Sequence, residues 1–584
     1  MNNRLISACD YYIFIDADDS NKIKARNGRT GDIDFTDPNY IDAVINCAIN
    51  HLSTGSVQDP IFKTWSGNGG SIFVGPGTFI VESAIILKSN IMIQGSGRWS
   101  TIFKWKDNNV LNNSNQIVMK SSLWDKYSTA GGTVSSQELN GGDTGVRLLH
   151  FAIDGNRLKN IGTTSSSTPG AVTWGHGLAY YGYDLFLQDI FIHHCPSVGL
   201  LTQAFYGGSY DVEQGPGDPL GAHQGERLGQ NTILDIVCWR NGQQGYLCRS
   251  NSIVRGLWTY KNDAAGLDVQ VCGYFDGAPS TFSGLWCFLD GWAYTAYDQL
   301  GFEVRLCGTV NTLRDSTIEG SRAGDSVVLG IRGAPTISTN YTLVGSSYNN
   351  ISGLYMDYPK FSSIRINNGA SNIQAEVNGP DAATPFPGDP GIAFNNSVGV
   401  SVLTPGNDLE LFLHNFTGAT QIALQVGNGP DGFNGNEVSG NMIRLRGYDN
   451  ATNIRWANSA NINNMITAQI VTFGIRQGRS EQLTVSGSDI NPSNKILIQG
   501  AGYSANPYLS HNSGIFRANG NATIYRIAHG LYSTPKSVNV SPGSPAAASG
   551  SYYVTVDATN ITVIYSSATP EGRNAVQLWW LADV

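Results

Sequence analysis

No stretch of this 584-residue chain approaches the run of about 18 apolar residues that a membrane-spanning helix requires. The first residues, MNNRLISACDYY, lack the apolar stretch of a secretory signal, which weighs against a secreted enzyme. Charged residues are scarce at 14%, and acidic ones outnumber basic ones 45 to 36. The resulting net charge of −9 excludes nucleic acid as the main partner. Eight cysteines occur without a single C-x-x-C pair, so neither a zinc ribbon nor a dithiol redox motif is present. Six of them, from Cys195 to Cys307, fall in one region and read as buried, reduced thiols. Metal signals are equally thin. Asp16-Ala17-Asp18-Asp19-Ser20 starts like a calcium loop, but Asn21 stands where glycine is required and Asn27 where glutamate is. GSGRWS at 95–100 precedes no helix that would receive a phosphate. No Ser-His-Asp or Cys-His arrangement is readable, and no cofactor or metal is expected.

Glycine, by contrast, is abundant at 69 residues, and in the middle of the chain it is periodic. CPSVGLLTQ (195–203), NGQQGYLCR (241–249), NDAAGLDVQ (262–270), YDQLGFEVR (297–305) and SRAGDSVVL (321–329) align on Gly199, Gly245, Gly266, Gly301 and Gly324. The gaps of 46, 21, 35 and 23 fit a short unit, once doubled and once carrying an insertion. Periods of this size mark stacked architectures, and a strand-like unit makes a β-solenoid. Strand side chains alternate faces, so the odd positions after each glycine are expected inside and the even ones outside. A second strand opens with Asn in NTILDI (231–236), NSIVRG (251–256), NTLRDS (311–316) and NISGLY (350–355), where stacked amides can bridge the turn.

Asp37 and Pro38 introduce NYIDAVINCAINHL, whose apolar residues have helical spacing. A helix over 38–52 is expected, placed to plug the open end of the solenoid. GGSIFVGPGTFIV and SNIMIQGSG form the opening coils, residues 106–145 an excursion, and HFAIDGNR (150–157) the return. The segment 207–230 reads as a long loop, and strands continue to about 475. A connecting segment at 476–520 precedes separate alternating strands over 521–584, the pattern of a small terminal β-sandwich.

The run GGSIFVGPGTFIV…SNIMIQGSG, then FAIDGNR, then the coil repeats resembles the pectate-lyase-like right-handed parallel β-helix superfamily, including phage tailspike depolymerases. The resemblance covers roughly 37–475. It implies an all-β, single-stranded right-handed parallel β-helix with an N-terminal capping helix. It further implies a spike at a virion tail or outside the cell that binds and cleaves a surface polysaccharide, by hydrolysis or β-elimination. A non-catalytic adhesin and a secreted polysaccharide lyase stand as alternatives. Such spikes are usually homotrimers. Gly175-His176-Gly177 invites comparison with the GHG of polygalacturonases, but the accompanying family motifs are missing, so His176 is read as a turn residue.

Asp268 and Glu303 share an even column in the glycine alignment and are the candidate catalytic acids. On adjoining coils their backbones would lie about 4.8 Å apart, and two close carboxyl groups suit glycoside hydrolysis. Arg249, Arg305 and Gln270 flank them as candidate substrate-binding residues. The competing reading is an ion-pair ladder, Asp268 with Arg305 and Glu303 with Arg249. In the long loop, Asp211, Glu213, His223 and Glu226 can close over a glycan, His223 and Glu226 being the binding candidates. Trp258, Tyr260 and Trp292 belong to an aromatic cluster, extending to Tyr294 and Tyr297, suited to stacking against sugar rings. His193 and His194, adjacent on a strand, are expected to face opposite ways and not to act together. Trp579, Trp580 and Leu581 carry more apolar surface than a small sandwich buries, which points to trimerisation through residues beyond about 475.

Overall fold

The chain folds into two compact units, Met1–Ser347 and Tyr348–Val584. This computed structural model describes residues 9–54, 57–58, 65–66, 68–108, 116–122, 124, 143–160, 175–203, 231–250, 252–269, 280–292, 302–306, 311–319 and 325–329 of the first. In the second it describes 349–357, 362–367, 371–379, 397–404, 406–416, 421–427, 438, 440–448, 450, 454–456, 465–470, 485–486, 495–499, 511–531 and 533–584.

The first unit contains a parallel β-helix whose coils supply strands to two ladders. One ladder runs through Thr101–Trp105, Arg147–Asp154, Phe186–His193, Asn231–Trp239, Trp258–Tyr260, Trp286–Phe288 and Thr312–Glu319, all parallel. The other runs through Met119–Ser121, Leu178–Tyr183, Leu200–Gln203, Tyr246–Arg249, Leu267–Val269, Val304–Leu306 and Val327–Leu329. Alternation explains the core: Phe103, Ile153, Ile192, Cys238, Cys287 and Ile318 form one inward column, fully buried. Cys195, Cys238, Cys248 and Cys287 are buried and free, as expected of structural thiols.

The helix spans Ile41–Leu52 and buries Ile41, Val44, Ile45, Ala48 and Ile49. Tyr40 is the residue before its first turn. The Asp37 carboxylate instead accepts the N–H groups of Asn39 and Tyr40, both at 2.7 Å, so it nucleates the approach to the helix rather than capping it. The helix also closes a backbone edge. Asp42 accepts the N–H of Glu82 and Ser83, and the Asn46 amide bridges Ile86 N–H and Ala84 C=O. Those groups belong to the first coil and would otherwise lie unpaired at the end of the ladder. The acidic turn 16–20 is occupied by lysine: Lys24 lies 2.9 Å from Asp16 and 2.7 Å from Asp19.

Two expectations fail in the second ladder. Leu200, Tyr246 and Leu267 align as the glycines predict. Val304, however, stands opposite Leu267, and Arg305 opposite Asp268, a slip of two residues from the glycine alignment. The slip preserves the alternation, so Val304 stays inside, and it replaces two like charges on neighbouring rungs with an ion pair. The even positions are also not exposed: Leu201, Leu247, Asp268, Arg305, Ser326 and Val328 are all buried. Leu201 and Leu247 join Ile117, Trp124, Ala179, Tyr181 and Val198 in a second apolar layer on the outer side of this ladder.

Asparagines do bridge the turns. Asn231 accepts the N–H of Leu185 and Asn311 that of Ser280. Asn251 lies outside the described residues. In the second unit Asn349, not Asn350, is the buried one.

The second unit has its own parallel ladders. Asn349–Asp357, Ser371–Asn378, Asp408–His414, Met442–Tyr448, Met465–Ile470 and Lys495–Gln499 form one. Ser362–Ile366, Val398–Val402, Ile422–Val426, Ile454–Trp456 and Val485–Ser486 form another. Parallel pairing thus extends past 475. Two antiparallel three-stranded sheets follow from His511 onward, built around Val576–Asp583 and Asn560–Tyr565.

Candidate functional site

The outward side of the first ladder carries aromatic side chains in two columns. Cys238, Thr259 and Cys287 point inward, so their neighbours along each strand point outward. One outward column aligns Phe191, Val237, Trp258 and Trp286; the other aligns His193, Trp239, Tyr260 and Phe288. Trp258 and Trp286 are 50% and 42% exposed, which marks them as surface rings rather than core. Their centroids lie 4.8 Å apart, tilted at 66°, and the Trp286 indole N–H donates to Glu319 at 3.2 Å. Tyr260 and Phe288 stack at 5.3 Å and 9°.

Each rung ends in a left-handed residue: His194 (φ 51), Arg240 (φ 53), Lys261 (φ 54) and Leu289 (φ 57). The residue after it turns inward. Asn241 accepts the N–H of Cys195, Asn262 that of Asn241, and Asp290 that of Asn262, at 3.0, 3.0 and 2.8 Å. This buried polar ladder fixes the strained turns, because each carboxyl or amide oxygen satisfies a backbone donor on the preceding coil. The turns in turn aim cations across the rings. The Arg240 guanidinium lies 5.3 Å from the Trp239 ring centroid, and Lys261 lies 5.0 Å from Tyr260 and 4.5 Å from Trp292.

At the N-terminal end of the second column, Asp154 stands opposite His193. The left-handed backbone of His194 swings its ring back beside its neighbour, so the two Nδ1 atoms meet at 2.8 Å. This corrects the expectation that the adjacent histidines diverge: that holds within a regular strand, and the strand ends at His193. His193 Nδ1 lies 3.7 Å from Asp154 Oδ1, which also accepts the Asn156 N–H at 2.8 Å. Burial pushes the His193 imidazole down to about 4, against the pull of Asp154. His194 is likewise lowered, first by burial. Both rings are therefore neutral near pH 7. Arg157, a short step along the chain, is ion-paired with Asp263.

The residues singled out from the sequence are dispersed. Asp268 is fully buried and holds Arg305 bidentately, Nε to Oδ1 and an Nη to Oδ2, both at 2.8 Å. Gln244 donates to the same carboxylate at 3.3 Å. Glu303 is fully buried too, but it turns into the coil, where Oε1 accepts the Asp290 N–H at 2.9 Å and its carboxyl lies beside that of Asp290. Burial first, and then the charge of Asp290, raise its carboxyl well above the ordinary range. Asp268 and Glu303 are thus neither exposed nor rung neighbours, and the ion pair of Asp268 with Arg305 is the arrangement formed. Arg249 stands opposite Gln203, with only its backbone described. Gln270, His223, Glu226, Asp211, Glu213, Tyr294, Tyr297, Cys272 and Cys307 lie outside the described residues. Trp258 and Tyr260 sit on the aromatic columns, in the other ladder from Asp268, and Trp292 joins them through Lys261. His176 is buried, its Nδ1 accepting the Val198 N–H at 3.3 Å, a turn role as expected.

Missed in the sequence were Asp154, the His193–His194 contact and the column as a whole. A signal existed. Trp239-Arg240-Asn241 and Tyr260-Lys261-Asn262 repeat an aromatic–basic–Asn triplet 21 residues apart, immediately before two of the glycine units.

No protein-family model matches the chain, and no curated protein is similar to it in sequence. Similar solved structures include the A-module of a mannuronan C-5 epimerase of Azotobacter vinelandii, at 12% identity and TM-score 0.39 over 80% of this chain and 95% of that one. The catalytic unit of a GH87 α-1,3-glucanase of Streptomyces thermodiastaticus gives 13% and 0.37 over 77% and 66%. The tailspike of Pseudomonas phage LKA1 gives 8% and 0.37 over 88% and 90%. At these scores the architecture of this chain rests on its own strand registers.

Proposed function

We propose that this protein is a virion-type spike that binds a surface polysaccharide along the two aromatic columns and cleaves it beside Asp154, His193 and His194. The exposed Trp258–Trp286 pair carries the reading. Large rings left in water on consecutive rungs, with cations laid across their neighbours, suit the apolar faces and polar rims of successive sugars. The histidine pair supports cleavage, since neutral imidazoles next to a carboxylate can accept a proton or act as ligands at neutral pH. Asp268 and Glu303 take structural roles in this reading, because neither reaches solvent. A panel of neutral and acidic polysaccharides, followed for binding, new reducing ends and unsaturated products, tests it. Trp258→Ala with Trp286→Ala abolishes binding, whereas His193→Ala leaves binding and abolishes turnover. Binding without turnover on every glycan would establish the adhesin instead, and binding unchanged in the double tryptophan variant would refute the site.

The assembly proposed is a homotrimer held through the C-terminal module. Trp580 is buried there, while Trp579 and Leu581 on the same strand, and Ile515 opposite Trp579, are exposed and apolar. Light scattering on the full chain decides it: a monomer refutes the assembly.

A further inference from the structure

The end of the column where the proposed function puts cleavage carries a second feature, which stands whether or not a glycan is cut there. Asp154, His193 and His194 are a group of metal-type donors among the described residues whose ligand atoms all lie within 4.8 Å of one another. We propose that this group binds a divalent transition-metal ion through His193 Nδ1, His194 Nδ1 and an Asp154 carboxylate oxygen, leaving the remaining coordination positions open.

The distances suit one shared ion. Ligand bonds of about 2.1 Å place two nitrogens about 3.0 Å apart at a right angle and about 3.4 Å apart at the tetrahedral angle. The Nδ1–Nδ1 separation of 2.8 Å falls close to the first value. The 3.7 Å from His193 to Asp154 exceeds the second by a few tenths of an ångström, which a small rotation of the carboxylate closes. Without a metal, a 2.8 Å contact between two ring nitrogens requires one to donate its proton to the lone pair of the other. An ion replaces that shared proton and uses both lone pairs.

The rings are also held in place beforehand. His193 packs 4.4 Å from Phe191 and edge-on to His194, and His194 packs 5.1 Å from Trp239. The Asn156 N–H fixes the carboxylate oxygen. Preorganised donors of this kind bind without the ordering cost that a surface cluster carries. Two imidazoles and one carboxylate select zinc, nickel, cobalt or iron(II) over calcium or magnesium, which prefer all-oxygen sites. Neighbouring cations oppose a divalent ion only in part: Arg157 is compensated by Asp263, and Arg240 lies on Trp239. Lys104 remains one rung from Asp154 and works against binding. This proposal does not depend on the glycan reading, since it concerns the metal alone.

Isothermal titration of the metal-free full chain with zinc chloride at pH 7.5, repeated with cobalt(II) followed by its visible absorption, tests it. One saturable site per chain is expected. His193→Ala and His194→Ala should each weaken zinc binding at least tenfold, and Asp154→Asn should weaken it less. Trp258→Ala, in the glycan columns, should leave it unchanged. Far-UV circular dichroism checks each variant, and His193→Gln, which keeps polarity and bulk, replaces any alanine variant that does not fold. No saturable binding would overturn the proposal, as would zinc affinity that survives the loss of both histidines.

Discussion

Replacing Glu303 by glutamine should stabilise the protein, and by an amount that grows with pH. In the fold the Glu303 carboxyl is fully buried, and burial with the neighbouring Asp290 charge holds its proton on well above 4.5. In the unfolded chain the group ionises at its ordinary value. An acid whose folded pKa is raised contributes its full stability below the unfolded pKa and loses it as pH climbs towards the folded one. Within that window the loss is about 1.4 kcal/mol per pH unit, because unfolding releases one proton. For each pH unit inside that window the wild type therefore loses about 1.4 kcal/mol that Glu303→Gln does not. The amide oxygen can still accept the Asp290 N–H, so the turn keeps its bond. At about 2 °C per kcal/mol for a large cooperative unit, the difference in Tm should widen by roughly 3 °C per pH unit within the window. Scanning calorimetry of both proteins at pH 5, 6 and 7 measures it. A constant difference, or a variant less stable at every pH, would mean that Glu303 is ionised in the fold. The depolymerising activity proposed for this protein should survive the substitution, and its loss would return Glu303 to the catalytic role read from the sequence.

Removing one partner of the buried Asp268–Arg305 pair, as in Asp268→Ala, should cost roughly 3–5 kcal/mol by chemical denaturation, with much of it recovered in Asp268→Leu/Arg305→Met. Equal losses in the single and double variants would show the pair to be irrelevant to the penalty. Trp258→Ala and Trp286→Ala should each weaken glycan binding about tenfold or more, read by titration calorimetry, because each removes a half-exposed ring at the centre of the face. Alkylation of the native protein with mass mapping should label exposed Cys47 quickly and leave Cys195, Cys238 and Cys287 unmodified, since burial raises all three thiols. Rapid labelling of Cys238 would contradict its place in the inward column.

Much of the fold was legible because its devices are short-range. A glycine every coil, an alternation of period two, and a helix with apolar residues on one side each leave a local trace. Their joint outcome, a stacked parallel body entered through a helix, follows from them. The helix start was misplaced because Asp37 forms a side-chain turn before Tyr40 instead of capping the helix, and both arrangements use the same residue type. The end of the parallel pairing was set too early. Met465–Ile470 and Lys495–Gln499 pair across a long separation, and no glycine repeat signals the match.

The site was less legible because register was inferred from glycine alone. Aligning Gly266 with Gly301 put Asp268 beside Glu303, two like charges on adjacent rungs in a low-dielectric wall. The structure moves the later strand by two residues, and the energetics favour the move on both counts. Arg305 then meets Asp268, and Glu303 falls at the turn, where its carboxyl receives the N–H of Asp290. Asp290 itself continues the polar ladder that runs through Asn241 and Asn262. In these coils, then, polar groups that must find partners inside the wall decide the register, and glycine merely permits the turn. The same ladder determines where chemistry can appear. Buried Asn241 and Asn262 follow left-handed Arg240 and Lys261, and Cys195, whose N–H Asn241 accepts, follows left-handed His194; these turns deliver the three side chains to the aromatic face. Replacing Asn262 with leucine would remove the acceptor for the Asn241 N–H and release Lys261 from the rings. Glycan affinity should therefore fall in that variant even though Asn262 touches no ligand, and unchanged affinity would separate the ladder from the face.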